Sequence, residues 1–340
     1  MIWWLFRLIS AGWTLLMLLG TLGAYLQDRH SQPLFIMVDV VSIFFTWHIW
    51  HPYLHRPRVT THGSAAWARR ASVRGLLRLR FRKLPAGGLF VGFFSRWKAI
   101  VLPPDLAKLH VLIVGGSGTG KTRGFFMPNT AYTRGSFVAT DPKGELWEHT
   151  SGYHDRAWRY APREPFATRC FNWIPLCRDE HRAQLFAAAV LQLEEDTHAE
   201  QFWKLSELQL CAALFTHVAH SPIPTPAAAY QLLQLGPSEL LEPLKGSHSA
   251  LARTCARLLG DLKSETRAGV VLGVANKLSF LQDPTLRRFT SADVHAPDFR
   301  VLTRDPVAVY WVVHEQDAAI LKPLSSLFFT VLLDQLSRGK

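Results

Sequence analysis

The eight residues Gly115-Gly116-Ser117-Gly118-Thr119-Gly120-Lys121-Thr122 carry the most specific chemistry in the chain. Gly115, Gly120, Lys121 and Thr122 meet the spacing G-x-x-x-x-G-K-[ST] of a phosphate-binding loop. Glycines let backbone N–H groups converge on phosphate oxygens at φ values that a Cβ would penalise. A helix that opens behind the loop adds the positive end of its dipole. Lys121 is placed to reach terminal phosphates as a point charge, and Thr122 to offer its hydroxyl to a magnesium ion brought by the ligand. ATP with Mg2+ is the ligand this set suits. With Gly at about 7% of residues, a chance match in a chain of this length is on the order of 1%.

Hydrolysis takes a second acid, at the end of a neighbouring strand, to hold the magnesium shell and orient water. Asp141 ends the apolar run 136–140 and is the local candidate for a catalytic role beside Lys121 and Thr122. Glu315, after the run 307–313, is the second choice. Val331-Leu332-Leu333-Asp334 has the right composition but lies in a helical pattern, so Asp334 is expected to be a solvated helix residue.

These residues need elements to hold them. The run 110–114 is short, apolar and rich in β-branched residues, which predicts a buried strand of a parallel sheet directly before the loop. A short helix is expected over 123–131. Runs 136–140, 157–160 and 307–313 read as further strands, and 318–336 as an amphipathic helix. Strand–helix–strand order predicts a doubly wound α/β sheet. Between Asp179 and Gln282 the spacing turns helical, as in Leu185, Phe186, Ala189, Val190 and Leu193, with a proline-rich break at 221–226. The expected organisation is a partial nucleotide-binding domain at 110–178 and 284–340, interrupted by an all-helical subdomain at 179–283.

Composition adds a membrane and an anionic partner. The chain has 340 residues, 48% hydrophobic and 19% charged, and a net charge of +12. Average proteins hold about 25% charged residues, so disorder is excluded as the main state. Residues 8–26 contain no charge and are long enough to span hydrocarbon. A polar loop at 27–33 leads to a second apolar stretch, 34–50, whose one acid is Asp39. Residues 1–54 therefore read as a transmembrane hairpin with a short periplasmic loop, rather than as a cleaved signal peptide. An acid in mid-bilayer is costly, so Asp39 either pairs within an oligomer or sits near the interface. Residues 55–109 form a basic juxtamembrane segment. Arg56, Arg58, Arg69, Arg70, Arg74, Arg78, Arg80, Arg82 and Lys83 stand in it with no acid between Asp39 and Asp105. The positive-inside rule puts this flank and the bulk of the chain in the cytoplasm, where it can hold anionic lipid or nucleic acid. Cys170, Cys177, Cys211 and Cys255 lack metal or redox spacing and are expected to be buried or free thiols.

Several segments together resemble the type IV secretion coupling proteins of the TraG-type conjugative DNA-transfer family, over the N-terminal portion of such proteins. Thr61-His62-Gly63-Ser64-Ala65-Ala66-Trp67-Ala68 is similar to a box behind the family's membrane hairpin. The phosphate loop, Met127-Pro128-Asn129-Thr130, Asp141-Pro142-Lys143-Gly144-Glu145-Leu146, Phe171-Asn172 with Pro175-Leu176, Phe202-Trp203 and Ser264-Glu265 with Gly269-Val270-Val271 follow in the family's order. The resemblance implies a RecA-like P-loop NTPase core with an all-helical insertion and an N-terminal transmembrane hairpin. It also implies a multi-pass location in the bacterial inner membrane, homo-hexamers in the intact family member, and delivery of single-stranded DNA with its relaxase, or of protein effectors, to the secretion channel. Family chains run on past the helix at 318–336 into a strand ending Asp-Glu. That acidic strand is absent from this sequence, so nucleotide binding is expected more than turnover by this polypeptide alone. Two other readings share these features. One is a non-hydrolysing membrane subunit that assembles with an intact motor. The other is an unrelated membrane-tethered P-loop ATPase, for which no substrate lid or transporter signature is visible.

Overall fold

The computed structural model describes residues 12–16, 18–22, 37, 39–44, 46–47, 71, 73–79, 84, 86–164, 168–192 and 198–338. The chain divides into two compact units, Met1–Arg69 and Arg70–Lys340.

In the first unit, residues 12–16 and 18–22 are helical, as are 39–44 and 46–47. The Oγ1 atoms of Thr14 and Thr46 lie 2.5 Å apart, and the Thr21 hydroxyl donates to Asp39 Oδ2 at 2.9 Å. Seven residues forward along one segment match seven backward along the other, so the segments run antiparallel. Polar side chains face each other, while Leu15, Leu16, Leu19, Val40 and Ile43 are exposed. Asp39 thus has a hydrogen-bond donor within its own chain. No helix among the described residues is long and apolar enough to cross a membrane. Positions 8–11, 17, 23–36, 38, 45 and 48–50 of the expected hairpin lie outside the described residues, as do Arg56, Arg58, Arg69, Arg70, Arg80, Arg82, Lys83 and the 61–68 box.

The second unit opens with a three-stranded antiparallel sheet, β1 (Leu77–Leu79), β2 (Leu89–Ser95) and β3 (Lys98–Leu102), in the order β1-β3-β2. Sequence reading missed this sheet, treating its residues as a basic flank. Phe90, Ala99 and Val101 alternate inward with Leu84 to form its small core. A short helix, α1 (Pro104–Ala107), leads towards the phosphate loop.

The central sheet is parallel, with β4 (Phe137–Thr140), β6 (Ala308–Trp311) and β5 (Ala157–Tyr160) in that order. Phe137 and Ala157 both pair with Ala308, and Thr140 and Tyr160 both pair with Trp311. The middle strand is buried at every position, as its unbroken apolar run requires of a strand with neighbours on both sides. Behind the phosphate loop runs α2 (Met127–Tyr132), and α3 (Glu145–Thr150) follows β4.

Between β5 and β6 come α4 (Glu180–Leu191), α5 (His198–Ala219), α6 (Pro226–Leu233), α7 (Leu241–Lys245), α8 (Ala250–Asp261), α9 (Ser264–Lys277) and α10 (Pro284–Ser291). Asp179 caps α4 by accepting from His181 N and Arg182 N, and Asp283 caps α10 in the same way. Such caps satisfy backbone donors that a helix start leaves unpaired. The last helix, α11 (Lys322–Arg338), begins four residues later than expected. It returns to the sheet through Phe328, whose ring stacks on Trp311 with centroids 4.2 Å apart. Trp311, Phe328, Tyr160, Phe171 and the inner faces of α4, α5 and α9 belong to one apolar core. Cys177, Cys211 and Cys255 are buried free thiols and Cys170 is partly exposed. Burial pushes the Cys255 thiol up to about 12, which leaves it protonated and inert.

Candidate phosphate-binding site

In the loop, Gly115 to Gly120 are exposed and Lys121 and Thr122 are half-buried. Gly118 and Gly120 hold φ of +75° and +84°, the left-handed region that favours glycine. A Cβ on Gly115 would lie 2.8 Å from Thr119 Oγ1, so a side chain there would fill the cradle. Thr119 Oγ1 donates to Gly116 O at 2.9 Å. Lys121 Nζ donates to Gly115 O at 2.5 Å and to Gly116 O at 2.7 Å. The ammonium therefore lies over the loop, where a bound phosphate would exchange contacts to neutral carbonyls for contacts between opposite charges. From Thr122 the chain makes one π-helical turn to Phe126 and continues as α2.

One expected element differs. Residues 110–114 do not form a strand: His110 has φ +69°, and none of the described strands pairs with the segment. Leu112 is 88% exposed and Val114 85%. Composition signals a buried strand, but a strand exists only where a neighbour supplies its hydrogen bonds, and neither outer edge of the β4-β6-β5 sheet pairs with 110–114.

Beside the loop lies a cleft of about 340 Å³, lined among others by Thr122, Thr140, Asp141, Lys143, Glu145 and Glu315. The structure thus brings Thr122 together with both candidate acids. They are not equivalent. Asp141 is 2% exposed, and its Oδ2 accepts from Trp147 N at 2.9 Å, capping α3 in its first turn. Its own N–H donates to Trp311 O at 2.9 Å, extending the β4–β6 ladder. Gly144, at φ +75°, makes the turn into α3. Glu315 is exposed at the cleft. Sequence reading did not single out Lys143 and Glu145 as site residues, although both sit in the Asp141–Leu146 segment it quoted. It also gave no role to Asn129, whose buried carboxamide bonds Phe90 N, Phe90 O and Phe125 O.

Asp334 is a further correction. It lies in a helix as expected, but it is buried rather than solvated. Its carboxylate is paired with Arg182 Nε and Arg338 Nε, each at 2.8 Å. The arginine from α4 is invisible to a local reading of 331–334. Near the sheet, Tyr310 hydrogen-bonds Thr150 Oγ1 at 2.7 Å. Burial pushes its phenol up to about 12, so it serves as a neutral group.

The residues present fit a nucleotide with magnesium. The loop has a glycine-rich cradle, a lysine over it, a hydroxyl at its end, and acids across the cleft.

Comparison with known proteins agrees with this geometry. The family described as type IV secretory system conjugative DNA transfer matches residues 76–340. The conjugal transfer protein TraG of Escherichia coli is 25% identical over 320 residues, covering 80% of this chain and 48% of the relative. Protein VirD4 of Agrobacterium fabrum is 28% identical, covering 82% and 43%. The chain thus spans less than half the length of these relatives. Among solved structures, the plasmid coupling protein TrwB in complex with a non-hydrolysable GTP analogue has a TM-score of 0.58 at 15% identity, covering 81% of this chain and 63% of that one. TrwB in complex with ADP and Mg2+ gives 0.57 at 16%, covering 81% and 64%. That likeness supports the α/β fold of the core. With the family match spanning residues 76–340 of 340, the chain belongs to the type IV secretory system conjugative DNA transfer family.

Proposed function

We propose that this chain is the membrane-anchored, ATP-binding segment of a conjugative coupling protein, which helps deliver single-stranded DNA with its attached relaxase to a type IV secretion channel. The observation that carries the reading is the convergence of Thr122 with Asp141, Lys143, Glu145 and Glu315 on one cleft beside the loop. Backbone N–H groups of 115–120 and the Lys121 ammonium hold the phosphates, and Thr122 offers its hydroxyl to Mg2+. Bound magnesium would polarise the terminal phosphate. Asp141 holds α3 against the sheet, so its part is to position the cleft wall rather than to turn ATP over. The apolar outer faces of 12–16, 18–22, 39–44 and 46–47, with Thr14, Thr21, Asp39 and Thr46 turned together, support an inner-membrane hairpin and a cytoplasmic site. The net charge of +12 supports binding of DNA phosphates without sequence preference, and the family relation supports assembly as a homo-hexamer.

Calorimetry of the detergent-solubilised chain with ATP and Mg2+ tests this reading. Saturable binding that Thr122→Ala weakens only while magnesium is present supports it, together with equal, background turnover by native chain and Asp141→Asn. Absence of binding, or robust hydrolysis that Asp141→Asn abolishes, overturns it.

A further inference from the structure

The β2–β3 hairpin turns through Phe93-Phe94-Ser95-Arg96-Trp97-Lys98, and all six residues are exposed. Along a regular strand, Phe93 and Phe94 would point to opposite faces. The pairing of β2 with β3 shifts register twice, between Phe90 and Gly92 and between Phe93 and Ser95. Bulges of this kind re-aim side chains, and here both phenylalanines are exposed, Phe93 with a ring edge against Phe90 of the small core, centroids 5.1 Å apart. Phe93 is 59% exposed and Trp97 58%. The Arg96 guanidinium lies 5.4 Å from the Trp97 ring centroid.

Charge limits what these rings can meet. Residues 40–104 contain no acid, and exposed Arg74 and Arg78 stand at the start of the same sheet. Aromatic rings beside cations, in a stretch of sequence without acids, are the chemistry of an anionic membrane interface: rings enter the boundary between headgroups and acyl chains, and cations hold lipid phosphates. Single-stranded nucleic acid also stacks on aromatic side chains, but within a basic groove that tracks its backbone. Six consecutive exposed residues at a tight turn make a projection, which suits a bilayer.

We propose that the 93–98 tip is a lipid-contact site, in which Phe93, Phe94 and Trp97 enter the interface of an anionic leaflet and Arg96 and Lys98 bind its phosphates. The proposal rests on the membrane-anchored reading above and adds a second, residue-specific contact to it.

The test uses the full chain with Cys170→Ser and Ser95→Cys, labelled with an environment-sensitive fluorophore and reconstituted in nanodiscs. In phosphatidylglycerol nanodiscs the label should be shielded from iodide and quenched by doxyl-labelled lipid. In phosphatidylcholine nanodiscs and in detergent it should be open to iodide. Arg96→Glu with Lys98→Glu should return it to the open state, while a label at Asp261→Cys stays open throughout. Absence of doxyl quenching, equal quenching in both lipids, equal shielding in detergent, or shielding that appears only with single-stranded DNA would each overturn the proposal. Failure of the chain to enter nanodiscs would instead overturn the anchoring reading. The same quenchers, on chain bound peripherally to phosphatidylglycerol vesicles, would then still report the tip.

Discussion

Asn129 closes a two-point clasp on the backbone of Phe90. Phe90 N donates to Oδ1 at 2.7 Å, and Nδ2 donates to Phe90 O at 2.9 Å. Nδ2 also donates to Phe125 O at 2.7 Å. One buried side chain on α2 therefore acts as an extra strand residue for β2, and ties the antiparallel sheet to the helix that carries the phosphate loop.

Replacing Asn129 with Leu keeps the volume and leaves the Phe90 N–H and C=O buried without partners. At about 1–3 kcal/mol for each unsatisfied group, the variant should lose a few kcal/mol. A domain of this size should then melt lower by about 2–4 °C per kcal/mol. Asn129→Asp keeps the acceptor and loses both donors, so it should also destabilise the fold. Differential scanning fluorimetry reads both variants, and an unchanged midpoint for Asn129→Leu would show that the clasp carries no weight.

Lys121 separates stability from binding. Its Nζ partners in the free loop are the carbonyls of Gly115 and Gly116, both on exposed residues, so water replaces the ammonium when it is removed. Lys121→Ala should shift stability by no more than about 0.5 kcal/mol. ATP should bind with a loss of about 1.5–3 kcal/mol, roughly ten- to a hundred-fold. Calorimetry with ATP beside a melting curve checks both halves. A variant that melts much lower would make the lysine a structural residue first.

Legibility in the sequence followed how local each cause is. The runs 136–140, 157–160 and 307–313 announced β4, β5 and β6, because β-branched and aromatic residues in an apolar run suit a strand whose neighbours are present. The run 110–114 has the same composition and fails as a strand here, since pairing is a property of two segments. The antiparallel sheet was hidden because its basic residues drew attention to charge, and two bulges in β2 break the alternation that marks a half-buried strand. The phosphate loop was fully legible as a motif, and Asp141 as an acid beside it. Its duty as a cap depended on the turn at Gly144, which only the fold makes plain. Asp334 was legible as helical and not as buried, because Arg182 reaches it from a different helix.

That ion pair gives a third expectation. Asp334 is held by Arg182 and Arg338, and Arg338 is also 3.4 Å from Asp179. Breaking a buried pair from one side costs about 3–5 kcal/mol. Arg338 remains in Arg182→Ala, so the loss should fall at or below about 3 kcal/mol. The double change Arg182→Met with Asp334→Leu should recover most of it, since apolar residues of similar volume often replace such pairs without cost. Chemical denaturation of the two variants decides the matter. A double variant less stable than Arg182→Ala would mean that the charges themselves hold α4 to α11.

Glu180 gives the fold a pH-dependent contact. Its Oε1 accepts from Leu251 N at 3.0 Å and from Ser249 Oγ at 2.8 Å, at the start of α8, where a negative charge also meets the positive end of the helix dipole. The Leu251 N–H and the Ser249 hydroxyl hold this carboxyl below the usual carboxylate range. A carboxyl whose folded value is depressed contributes stability that is present above its unfolded value, about 4.3, and is lost as pH falls through the folded value. Glu180→Gln keeps an acceptor oxygen and has no proton to gain. Native chain should therefore melt above the variant at neutral pH, with a gap that stays constant down to about pH 5 and closes at more acid pH. Melting midpoints of the two proteins across this range give the answer. A gap that keeps its size into the acid range would mean that ionisation of Glu180 does not stabilise the α4–α8 contact, and that Gln differs from Glu there for a reason other than charge.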